Sequence, residues 1–234
     1  MNTDAIYDKV RAILDRANHP NTPQAEAETA LAMAQRLMLK HGLDEAVFAE
    51  AQHDSVEIVR DEIILTGAWA LNRVRLAYTI ASACSVASYR QSNYVQNERG
   101  WSEKNGMKLV MYGTKADIFT VKTLVASAEM LAHRVMPKGT RSFKHAWWLG
   151  FNSGVGSVLK KSKNDFIQEQ GAGAGLVLAD KFKRADNEMR ANVKLTSARS
   201  TCSNGSGYGA GVTAGRGFNA GGGIGGGAIG ALGR

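Results

Sequence analysis

The chain of 234 residues is short of proline (3), cysteine (2) and aromatic side chains (7%). Scarce proline leaves long stretches free to run as unbroken helix. Cys84 and Cys202 are too few for a disulfide framework and stand in no metal-ligand spacing, which fits a reducing compartment. No apolar run approaches the roughly 20 residues that span a bilayer. The segment from Met1 to Arg11 alternates acids and bases without an apolar h-region, so no secretory signal is expected. These absences point to a soluble, cytoplasmic protein with no membrane partner.

Acid is scarce in one half only. Residues 1–136 carry 15 Lys+Arg against 16 Asp+Glu, whereas 137–234 carry 14 against 5. The net +8 of the chain therefore lies wholly in its last 98 residues. A basic half on a near-neutral half suggests an anionic partner, most commonly nucleic acid, or else a solvated basic face.

Hydrophobic spacing sets the expected order of elements. Ile6, Val10, Ile13, Leu14 and Ala17 share one helical face, and Asn18 to Asn21 breaks it. Thr22 and Pro23 open a second helix that runs to His41, with Gly42 placed to end it, and 43–52 reads as a third. Val56, Ile58 and Ile63 to Leu65 favour a strand. A helix over 68–83 follows, then strands over 85–89 and 108–112 joined by a turn over 97–106, then a helix over 115–136 capped by Thr114 with Asp117. Long helices are expected over 142–170 and 176–194. Residues 196–234 hold 14 of the 26 glycines and no acid. Their default reading is a flexible arm; for the uncharged stretch Phe218 to Leu232 the other is an apolar glycine strip packed against the protein or a partner backbone. The fold class is α+β: a helical hairpin unit (1–53), a small mixed sheet with packing helices and long basic C-terminal helices (54–195), and a basic glycine-rich tail (196–234).

The first unit carries a resemblance. Lys9 to Leu14, Glu26 to Leu31 and the run Ala34-Gln35-Arg36-Leu37-Met38-Leu39-Lys40-His41-Gly42-Leu43 resemble the domain-of-unknown-function 2786 family. That resemblance implies a helical hairpin, a companion region like the one that follows here, and a phage or mobile-element setting. It implies no chemistry.

Catalytic and cofactor motifs fail one by one. None of His19, His41, His53, His133 and His145 is paired at a helical i, i+4 spacing, so no metal is expected. Gly209-x-Gly211-x-x-Ala214 and Gly215-x-Gly217-x-x-Ala220 lack a strand before them and an acid after them. Tyr112 to Lys115 is a strand–turn–helix step without a phosphate-loop frame, better read as a cap. Cys84 reads as a small buried residue, and Ser157 lacks the nucleophile-elbow frame. No catalytic residue or cofactor is assigned.

The suggestive stretch is aromatic and basic. Arg141, Lys144 and His145 adjoin Trp147 and Trp148, with Lys160, Lys161 and Lys163 some turns later. Cations can neutralise phosphates while an exposed ring stacks on a base. Trp147 pairs with Phe151 as core, which leaves Trp148 as the stacking candidate, and Arg199 and Arg216 add charge from the tail. The expected function is that of a non-catalytic phage or mobile-element accessory protein binding nucleic acid through these residues. The alternatives are a protein-interaction module countering a host factor, and a hydrolase with a dispersed site.

Overall fold

A computed structural model describes residues 57–196 and 205–218, with single helical residues at 6, 8–10, 12–13, 33, 37–38 and 40–42. β1 (Val59–Leu65), β2 (Ala87–Gln96) and β3 (Ser102–Gly113) form an antiparallel sheet in the order β1-β3-β2. Side chains along β3 alternate between two cores. Met107, Leu109 and Met111 face the main cluster, built with α1 (Ala70–Ala83) and α2 (Lys115–Val135). Val110 and Tyr112 face Ala185 and Met189 of α4 (Ala172–Asn192). Burial on both faces is why 107–112 is almost continuously apolar.

The β2–β3 hairpin is longer and tighter than expected. The turn shrinks to Asn97–Trp101, where Asn97 Oδ1 accepts from the Arg99 and Trp101 amides at 3.0 and 2.9 Å. Gly106, expected in that turn, lies within β3 at φ 89° against the Leu65 carbonyl, where a Cβ has no room. Polar residues such as Ser92 and Ser102 pair in the ladder without the apolar alternation that would have announced them.

Helix ends follow their local chemistry. Thr114 Oγ1 accepts from the Asp117 amide at 3.1 Å, the expected cap of α2. At the end of α1, Cys84 N–H donates to Ile80 O and Val86 N–H to Ala81 O. Ser85 takes the left-handed position (φ 60°) of this Schellman-type end, where glycine is usual. Ser85 therefore closes a helix and does not begin a strand as expected.

α3 (Arg141–Gln170) spans about 45 Å at helical rise. The segment expected as a flexible tail contains α5 (Tyr208–Arg216), laid along α3. A nine-residue, glycine-rich helix is too short and too poor in helix formers to stand alone. What holds it is backbone contact. Cβ atoms at Gly211 and Gly215 would strike the Trp147 and Phe151 carbonyls, and one at Gly154 would lie 2.5 Å from Val212 O. Phe218, just beyond, is buried in the main core. Over 208–216 the chain is therefore a packed helix and not the flexible arm expected, while the glycine-strip reading of 218–232 lies, beyond Phe218, outside the described residues.

α1, α3 and α5 run in one direction. Asn72 meets His145, Thr79 meets Gly156 and Ser85 meets Lys163, while Gly207, Gly211 and Gly215 meet Phe143, Trp147 and Phe151 in turn. α2 runs the other way, its Glu129 holding Arg73 of α1. Among the helical residues before β1, Val10 and Met38 are buried in one cluster with Phe119 of α2. Gly42 is itself helical, so that helix extends past the expected stop at His41. The break at 18–21, the Thr22 cap and the helix over 43–52 lie outside the described residues.

Candidate nucleic-acid interface

Ion pairing is uneven among the cations of the described residues. Among the described residues, the pairs engage cations of the sheet, α1, α2 and α4: Arg60 and Lys108 with Glu62, Arg73 with Glu129, Lys122 with Asp61, Lys181 with Asp117, and others. None engages a cation of α3 or α5. Arg141, Lys160, Lys161 and Arg216 are exposed there, and Lys144 is half-buried.

These residues do not form one patch. Arg141 and Lys160 stand 19 positions apart, about 28 Å along α3. By helical phase (about 100° per residue), Lys161 lies two turns past Gly154 on the side that carries α5, near the Arg216 end. Arg141 and His145 lie on the side that meets α1. There a cleft of about 800 Å³ opens, lined by Trp69, Leu71, Asn72, Arg141, Ser142 and His145 among others. Asn72 is buried, and its Nδ2 lies 3.2 Å from His145 Nδ1. Trp69 caps α1 from a left-handed backbone (φ 62°) and makes no side-chain bond to the first turn.

Two candidates are turned inward. Trp148 is fully buried, edge-on to Trp147 and Phe151 and 6.3 Å from the His133 ring of α2. It is not the exposed stacking ring expected, because α2 covers that face of α3. Trp147 and Phe151 stack at 5.0 Å as core. Lys163 points to the end of α1 and donates to Ser85 Oγ at 2.9 Å. Burial pushes its ammonium below the ordinary lysine range. Burial likewise pushes the adjacent Cys84 thiol up to about 12, which leaves it a protonated core residue. Beside them Lys181 Nζ holds Asp117 Oδ2 at 2.8 Å and donates to Gly42 O at 3.3 Å. Arg199 lies outside the described residues, as does Cys202.

Sequence reasoning missed Trp69 and Asn72. Each is an ordinary helix-start residue by pattern, and only the packing of α1 on α3 makes it a neighbour of Arg141 and His145. Trp101, largely exposed at the hairpin tip, was also missed, as it stood in what read as a loop.

Among the described residues, no group of three His, Cys, Asp or Glu side chains is placed to hold a metal ion. No helix among them is long and apolar enough to cross a membrane. Comparison with the curated proteins and with the solved structures finds no match. Residues 5–45, the stretch that reaches α2 through Met38 and Lys181 through Gly42, match the family described as "Protein of unknown function (DUF2786)".

Proposed function

We propose that this protein is a non-catalytic accessory protein of phage or mobile-element type that binds nucleic acid through the cations of α3 and α5. The observation behind this reading is the pairing pattern among the described residues: carboxylates pair with many cations of the sheet, α1, α2 and α4 but with none of α3 or α5, where Arg141, Lys160, Lys161 and Arg216 are exposed. Unpaired exposed cations release condensed counterions from a polyanion, which is the main source of non-specific affinity. The two cationic ends of α3 are separated by about eight base-pair rises of duplex. The mobile-element setting is what the resemblance of the N-terminal segment implies.

Titrating the full chain with duplex and single-stranded DNA and RNA at rising salt tests this. Affinity should fall linearly on a log–log scale, and Lys160→Gln/Lys161→Gln should flatten the slope by up to about 2. Absence of binding at low salt, or binding insensitive to salt, would overturn it.

A further inference from the structure

The cleft beside Arg141 has features that general polyanion binding does not need. A helix start occurs at every helix and carries nothing by itself. Here the starts of α1 and α3 converge on one concave space, and the side chains lining it are specific. Arg141 is exposed and has no carboxylate partner among the described residues. His145 is held by Asn72, a buried amide that fixes the ring and leaves its other nitrogen to the surroundings. Trp69 presents a half-buried ring at the rim, supported by the core beneath it. The space, about 800 Å³, falls within the range of small-ligand sites.

We infer that this cleft binds a nucleoside monophosphate group, with the phosphate on Arg141 and His145 and the base against Trp69. A guanidinium fork and an imidazole suit one phosphoryl group, and an indole face suits any base. The group can come from a free nucleotide or from the phosphorylated end of a strand. The site goes beyond the preceding proposal, because its ligand is one nucleotide and not a run of phosphates.

Calorimetric titration of the full chain tests it. One arm compares adenosine 5′-monophosphate, adenosine and inorganic phosphate. The other compares one oligonucleotide with and without a 5′-phosphate. At least one arm should show a preference for the phosphorylated ligand of about tenfold or more, and that arm identifies the source. Arg141→Gln, at an exposed residue with no carboxylate partner among the described residues, should abolish the preference, whereas Lys160→Gln/Lys161→Gln, about 28 Å along α3 and outside the cleft, should keep it. Equal affinity with and without phosphate in both arms, or a preference that survives Arg141→Gln, would overturn the inference. Loss of duplex binding alone would overturn the general proposal and not this one.

Discussion

The two ends of the parallel helices α1, α3 and α5 treat charge in opposite ways. At the far end, Arg216 sits in the last turn of α5 and Lys163 meets the end of α1, so cations face carbonyl termini. A helix carries about half a negative charge there, and such cations are favourable. At the near end the same three helices begin, none with an acid in its first turn. Arg141 and Lys144 nevertheless stand in or beside the first turn of α3, against the dipole. The terminus of α2 on this side is already complemented by its own His133 and Arg134. One end sets cations against helix C-termini, and the other sets them at helix starts, where an anion would be the favourable complement.

The largest expected effect comes from removing α5, which contributes to both ends. Gly211→Val drives a branched side chain into the Trp147 carbonyl and should cost about 2 kcal/mol or more. Urea unfolding measures the loss, and faster proteolysis near 208–216 would show α5 leaving α3. A full-strength, protease-resistant variant would mean that the glycine contact does not hold α5.

A second effect, about 1.4 kcal/mol for each pH unit above 9, isolates the far end. The Cys84 thiol keeps its proton in the folded state until about pH 12 but loses it near 9.0 when unfolded. The folded state then binds more protons than the unfolded chain, so this group's contribution is intact below pH 9 and declines toward pH 12. The decline should reach up to about 1.4 kcal/mol per pH unit. Cys84→Ala should make the measured fall in stability above pH 9 shallower. An unchanged slope would place the thiol in contact with water.

How far all this was legible in the sequence depended on the range of the interaction. Thr114 with Asp117 declared the α2 cap because both partners sit within one turn. The helices over 70–83, 115–135 and 141–170 followed from apolar spacing on single faces. α5 was invisible because local propensity counts glycine against helix, while its stabilising partners, Gly150 and Gly154, lie more than fifty residues earlier. Trp148 misled for a related reason: α3 is covered by α1, α2 and α5 on different sides, so a one-face reading exposes residues that are core. Of the site, Arg141 was visible from charge, but its cleft joins residues 73 positions apart through Asn72 and His145. Lys163 was read as surface because Ser85, 78 positions away, is what draws it inward.

The smallest effect is the most direct test. Arg216 and Arg141 are both exposed arginines without a carboxylate partner among the described residues, one at a helix end and one at a helix start. Unfolding free energies of Arg216→Gln and Arg141→Gln, measured side by side at low ionic strength without added anion, compare the two ends with identical chemistry. Arg216→Gln should lose about 0.3–1 kcal/mol, and Arg141→Gln should lose nothing or gain a similar amount. Equal losses at both positions would contradict the account of an end held open for an anion.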